Sequence, residues 1–267
     1  MTDLKRFFPE FSMVCLIVCS LWINFSLPTY GNTVTSEQLD QINQSWQGSA
    51  HALTEVNCSS CHQDSDSNQF VARPTEASCQ KCHEYEVQTF HFGKHGIRLA
   101  EGLSPLTPAM AEIPMKASAS QKVMNCNACH DVHSVNTQTA AVDSCLTCHN
   151  DNHSLNYKNS KHGKNIIAEG VLPRPSETSV TCATCHLPRE HNELGEKILV
   201  NHNNTYNLLP RDRMVADVCM HCHGMEYSYN SMFDDALVDA NFDRPPNQNL
   251  ETLKLIRTLE QKRLGKS

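Results

Sequence analysis

The chain has 267 residues, 22 Lys+Arg against 29 Asp+Glu, a formal charge of −7, and an unusual store of 14 cysteines and 15 histidines. An acidic balance of this kind excludes the basic footprint of a nucleic-acid binder. With 39% hydrophobic and 6% aromatic residues, an ordinary side-chain core would be thin for this length.

Residues 1–31 read as an export signal. Lys5 and Arg6 give a positive start, an apolar run from Phe11 to Phe25 follows with Cys15 and Cys19 inside it, and "SLPTYGN" closes it. The run is shorter than the roughly 18–20 apolar residues of a membrane span. Thr29 and Gly31 are small enough for a cleavage site. The rival is an uncleaved anchor, and either way the rest of the chain is expected outside the cytoplasm, in the periplasm. Removing Asp3, Lys5, Arg6 and Glu10 with the signal leaves the charge unchanged. No later segment is apolar enough to span.

Beyond the signal every cysteine falls into one pattern. The runs are Cys58-Ser-Ser-Cys61-His62, Cys79-Gln-Lys-Cys82-His83, Cys126-Asn-Ala-Cys129-His130, Cys145-Leu-Thr-Cys148-His149, Cys182-Ala-Thr-Cys185-His186 and Cys219-Met-His-Cys222-His223. Cys-x-x-Cys-His is the c-type haem attachment signal: two thiols add across the vinyl groups and the next histidine reaches the iron. Zinc uses Cys-x-x-Cys pairs but gives no reason for a histidine after every second cysteine. A redox dithiol is one motif in a βαβ setting, and a disulfide framework would not hold the spacing constant. Six covalently attached haems are therefore expected, and they would supply the missing core. The fold class expected is mainly α, a multihaem cytochrome of short helices and loops wrapped around haem, with few or no strands and a helical turn at or just before each motif.

The motifs divide the rest of the chain. The first and second lie close together, as do the third and fourth, which favours contacting haem pairs. Gly93–Val123, with Pro105, Pro108 and Pro114, reads as a long wrapping loop, and Leu172–Ser179 and Asn201–Arg213 as two more. Asn230–Phe242 fits a helix stopped by Arg244-Pro245-Pro246. Asn247–Leu264 fits another, with Leu250, Leu253, Ile256 and Leu259 on one side and basic residues in its last turns. That side suits packing on its own domain or a homo-oligomer contact equally. The domains expected are a signal over 1–31, a hexahaem domain over 32–229 and a helical tail over 230–267.

Six proximal ligands come from the motifs: His62, His83, His130, His149, His186 and His223. Nine histidines remain, enough to close the opposite face of every iron. His95 and His162 share a Lys-His-Gly setting away from any motif, and His51 sits in "GSAHA". His133, His153 and His191 follow too soon after a motif histidine to loop round the same haem and are expected to ligate a neighbour. These six are the expected distal ligands. His202 in "VNHNN" is a further candidate, and His91 and His221 come after the rest. Iron with an imidazole on both faces changes oxidation state without binding substrate, its potential set by ligands and burial.

From here the chain resembles the octahaem hydroxylamine oxidoreductase family. "CNACHDVHS", "CLTCHNDNH", "NSKHG", "TCATCH", "VCMHCH" and "MFDDALVDANFDRP" follow one another in the order of similar elements around that family's last four haems. "GSAHALTEVNCSSCH" and "SCQKCHEYEVQTF" resemble its second and third haem segments, so the resemblance runs over residues 45–246. The first haem segment is absent. So is the fourth, which carries the substrate-binding iron in that family and would fall within Gly93–Val123, where there is no cysteine. The tyrosine that cross-links the catalytic haem in hydroxylamine-oxidising members lies beyond the final motif, in a region this chain does not match. The resemblance thus implies the electron-conducting part of such an enzyme without its active site.

Three functions compete. The first is an exported hexahaem relay between a quinol-linked donor or a periplasmic oxidoreductase and an acceptor, which needs every iron closed; the acidic surface suits a basic partner. The second is an oxidoreductase acting on a small nitrogen or sulfur compound such as hydroxylamine or nitrite, which needs one open iron and nearby groups such as Lys94, Arg98 or Tyr206. The third joins haem chains of many subunits into a wire, one subunit lending a histidine to the next.

Overall fold

The structure, a computed structural model, describes residues 34–167, 180–192, 194–247 and 249–265. The expected export signal over 1–31 and the loop over Leu172–Ser179 lie outside the described residues. The chain divides into two units, Met1–Ile42 and Asn43–Ser267. The described part is mainly helical, in short pieces. No described helix is long and apolar enough to cross a membrane.

Local hydrogen bonding explains where the pieces start. Helix Ser36–Gln47 opens on a reciprocal cap, in which Gln38 N donates to Thr35 Oγ1 at 3.2 Å and Thr35 N donates to Gln38 Oε1 at 2.9 Å. Two of the cysteine motifs cap themselves in the same way. Asn57 accepts from Ser60 N ahead of Cys58–His62, and Thr181 accepts from Thr184 N ahead of Cys182–His186, with the return bond made in both. The capping residue stands just before the first cysteine and its partner just before the second. These two motifs are helix starts; the second and fourth begin near the ends of helices Glu76–Gln80 and Asp143–Leu146, the third and sixth on 3₁₀ turns, and all four carry a helical i→i+4 bond from histidine N to the first cysteine's carbonyl at 2.9–3.0 Å. A helical turn sets residues i, i+3 and i+4 on one face, so both thiols and the imidazole of every motif point the same way.

Strands are few. β1 (Arg189–His191) and β2 (Ile198–Val200) pair antiparallel, His191 opposite Ile198, and form the only named sheet among the described residues. Gly93–Val123 is not the uninterrupted loop expected. It holds a helical turn over Ile97–Ala100 and 3₁₀ turns over Pro108–Met110 and Ala117–Ala119. In the third expected loop the last three residues already belong to helix Arg211–Asp217.

The expected helix over Asn230–Phe242 is two. Met225–Met232 ends before Phe233, and Asp235–Asp239 begins anew because Asp234 accepts from Leu237 N as its cap. Asp234 also receives both terminal nitrogens of Arg244, at 2.9 and 3.2 Å, and the Asn247 N–H at 3.0 Å. The last helix is Glu251–Arg263, shorter than expected at its start. It packs through buried Leu253 and through an Arg257–Glu226 ion pair, and Ile256 and Leu259, expected on the same side, are exposed.

The apolar core is small. Met214, Val215 and Met232 form one buried cluster, flanked by Cys185, Val218, Cys219, Tyr229 and Phe242. Elsewhere large apolar side chains lie open, Phe70 at 75% and Phe92 at 69% among them.

Candidate haem centres

Each motif histidine faces a second histidine. Ring centres are 6.3 Å apart for His62–His133, 6.2 Å for His83–His51, 6.2 Å for His130–His202, 6.3 Å for His149–His95, 6.2 Å for His186–His153 and 6.2 Å for His223–His162. Rings in van der Waals stacking sit closer, as His223 and Tyr227 do at 5.1 Å. Two imidazoles bound to one metal from opposite sides, with bonds of about 2.0 Å, hold their ring centres about 6.3 Å apart. The six pairs share that separation although their planes cross at angles from 5° to 87°.

The surroundings prepare the rings for this. His62, His153 and His202 each donate Nδ1–H to a backbone carbonyl, those of Val71 at 2.8 Å, Val238 at 2.6 Å and Val200 at 2.8 Å. That leaves Nε2 without a proton, the tautomer a metal ligand needs; in His153 the Asn241 Nδ2 stands 3.4 Å from it. His149 Nδ1 lies 3.5 Å from the Asp151 carboxylate. Burial pushes His186 and His95 down to about 4, with His153 and His149 respectively adding to it, so both are neutral near pH 7.

The Lys-His-Gly repeat has a steric cause. A Cβ at Gly96 would stand 2.3 Å from the Phe90 carbonyl oxygen, and one at Gly163 would stand 2.1 Å from that of Tyr157. In both, the glycine lets the chain press against a carbonyl six residues back, which turns the preceding histidine toward its partner. His202 is held from two sides. Its N–H donates to Thr89 Oγ1 at 2.9 Å. Glu190 on β1 accepts from the Tyr85 hydroxyl and, at 2.8 Å, from Asn201 Nδ2, tying the hairpin to helix Glu84–Phe92.

None of the twelve motif cysteines is in a disulfide, and successive motifs lie side by side, as where Ser78 Oγ donates to Cys61 O and Ser144 Oγ to Cys129 O. Burial raises the Cys61 thiol and nearby Cys79 adds to it. Cys126 donates to Cys79, which holds Cys79 down to about 7 and raises Cys126. Burial pushes Cys129 up to about 11, Cys145 adding to it. Cys145 donates to Cys182. Burial pushes Cys185 up to about 12, with Cys219 adding to it. The order of contact is the order of the chain, first motif to sixth.

These residues fit haem better than a bare metal. Among the described residues no three His, Cys, Asp or Glu side chains converge on a point that could hold an ion. Donors come instead as opposed imidazole pairs with two thiols to one side. Apolar side chains stand open beside some of them: Phe70 stacks on His62 at 5.3 Å, and in the sixth motif Met220 lies within the run and Met225 two residues after it, both exposed.

Five of the six histidines expected as distal partners, His51, His95, His133, His153 and His162, stand opposite a motif histidine. His191 does not, and this is a correction. It lies exposed on β1, where alternation turns Glu190 inward and the residues on either side outward. His202 has the position opposite His130. The signal for it in the sequence was faint, a histidine in an asparagine-rich turn away from any motif. His91 and His221 stand opposite no motif histidine.

The chain matches no protein-family model, and no curated protein matches it.

Proposed function

We propose that this protein is an exported hexahaem c-type cytochrome that relays electrons. Cys58/Cys61, Cys79/Cys82, Cys126/Cys129, Cys145/Cys148, Cys182/Cys185 and Cys219/Cys222 tether the haems. The six motif histidines are the proximal ligands, and His133, His51, His202, His95, His153 and His162 are their respective partners. Haem, when bound, supplies a one-electron iron couple whose potential follows ligands and burial. The observation that carries the reading is the six opposed imidazole pairs. An imidazole on both sides leaves no position for a substrate, and no carboxylate, lysine or tyrosine is needed as an acid or base. The motifs lie beside one another in chain order, with Ser78 Oγ on Cys61 O and Ser144 Oγ on Cys129 O at the first and third junctions, which supports a route in that order.

In this reading the chain is akin to the conducting part of the octahaem hydroxylamine oxidoreductase family, without its first and substrate-binding haem segments. An oxidoreductase for hydroxylamine or nitrite would need a motif histidine that faces no second imidazole, and each of the six faces one. A wire built by lending histidines between subunits is likewise not required. The partners that fit are a quinol-linked donor or a periplasmic oxidoreductase.

Low-temperature EPR of the oxidised, exported protein, with iron counted per chain, tests this. Low-spin signals alone at six irons per chain are expected. A high-spin signal of about one haem per chain that responds to nitrite or cyanide overturns the relay in favour of an enzyme.

A further inference from the structure

The short helix Asp235–Asp239 ends in an unusual way. Asn241 N donates to Val238 O at 3.0 Å and Phe242 N to Leu237 O at 2.9 Å, the paired bonds of a Schellman cap. Such a cap needs one left-handed residue, and Asn241, with φ 54°, supplies it. It does not need the next residue to be left-handed, yet Phe242 has φ 59°. Asparagine tolerates that region; a bulky aromatic there is a genuine outlier. Strain held at one residue is a reason to ask what its side chain reaches.

The ring of Phe242 stands between two of the opposed pairs. It meets His153 edge-on, with centres 6.3 Å apart and planes at 88°, and His162 at 6.1 Å and 56°. These are the non-motif members of the fifth and sixth pairs. The same segment grips His153 three times more, through Val238 O on Nδ1 at 2.6 Å and through Asn241 Nδ2, which donates to His153 O at 2.8 Å and stands 3.4 Å from Nε2. His153 and His186 are the most nearly perpendicular of the pairs, at 87°.

We propose that Phe242 is a positioning residue that sets the ring planes of His153 and His162 together and keeps the His153–His186 pair crossed, so that one side chain tunes the last two centres of the relay. This rests on the haem reading. Its consequence is physical: two parallel imidazole planes split the iron dπ orbitals, and crossed planes leave them nearly degenerate. The low-spin EPR signal reports the difference, and a merely space-filling role would not move it.

The experiment compares wild type, Phe242→Leu and Phe242→Tyr as the exported, haem-loaded protein, by EPR and by haem-to-chain ratio. Leucine still fills the space beside Met214 and Met232 but has no ring edge; tyrosine keeps the ring. Expected are a highly anisotropic low-spin signal in wild type, a change in two of the six signals in Phe242→Leu at unaltered haem content, and the wild-type spectrum in Phe242→Tyr. If Phe242→Leu gives the wild-type spectrum and only melts lower, Phe242 is packing alone and the inference falls while the haem reading stands. Should Phe242→Leu fail to load haem, Phe242→Met, which also fills the space without a ring, is expected to change the same two signals; unmoved signals in Phe242→Met overturn the inference. Wild type without six low-spin irons overturns the haem reading and this inference with it.

Discussion

His191 and His202 show how little separates a partner from a bystander at the level of one residue. Both follow the fifth motif, both are flanked by polar residues, and both belong to the same hairpin region. Glu190 faces inward and is bonded to Tyr85 and Asn201, so His191 faces out, and the turn beyond Val200 brings His202 to His130. The two therefore behave oppositely on substitution. His202→Ala is expected to convert one haem in six to a high-spin, cyanide-binding form at unchanged haem content. His191→Ala is expected to leave the optical and EPR spectra as they are. The reverse result would reassign the sixth partner.

Among elements, the segment from Asp234 to Asn247 depends on one carboxylate. Asp234 caps a helix, receives both arms of Arg244 and accepts a second backbone N–H, and these bonds hold its carboxyl well below the usual carboxylate range. A depressed native pKa contributes stability that is fully present above the unfolded value of about 3.9 and is lost as pH falls through the native one. Asp234→Asn is expected to lower Tm by a few degrees at pH 7, and the gap to wild type should narrow as the pH drops below about 4. A gap independent of pH would mean that the ionised carboxylate is not what stabilises the segment. The same segment carries Phe242, so loosening it is expected to disturb the EPR signals of the fifth and sixth centres before the others.

For the whole molecule the question is what fills the interior. Among the described residues the buried apolar side chains are few and several of them small, Ala119 and Val215 for instance, while Leu53, Phe70, Phe92 and Leu209 are 69–79% exposed. Chains of this length normally bury about three-quarters of the surface they could expose, and these side chains alone do not provide that. In the proposed reading haem makes up the deficit. The mature chain produced where no haem is attached is then expected to bind ANS and to unfold without a cooperative transition, while the loaded protein melts cooperatively. An unloaded chain that melts as sharply and as high as the loaded one would show that side chains suffice as the core.

What the sequence by itself determined was local. Cys-x-x-Cys-His spans one helical turn, so the common face of two thiols and an imidazole follows from the spacing, and the caps at Asn57 and Thr181 are written in the residues beside it. The glycines after His95 and His162 marked those histidines for a related reason, a close backbone approach within six residues. What only the tertiary structure decided was who meets whom. The pairing of His130 with His202 joins residues 72 apart in number, through a hairpin whose strands are three residues each, too short for alternation to stand out in the sequence. At the break, Asp234 caps the second helix locally through Leu237 N, but Arg244 and Asn247, ten and thirteen residues on, hold the same carboxylate in that role. The division of the last helix, with Leu253 inward and Ile256 and Leu259 outward, depended on Arg257 finding Glu226, a contact that no periodicity encodes.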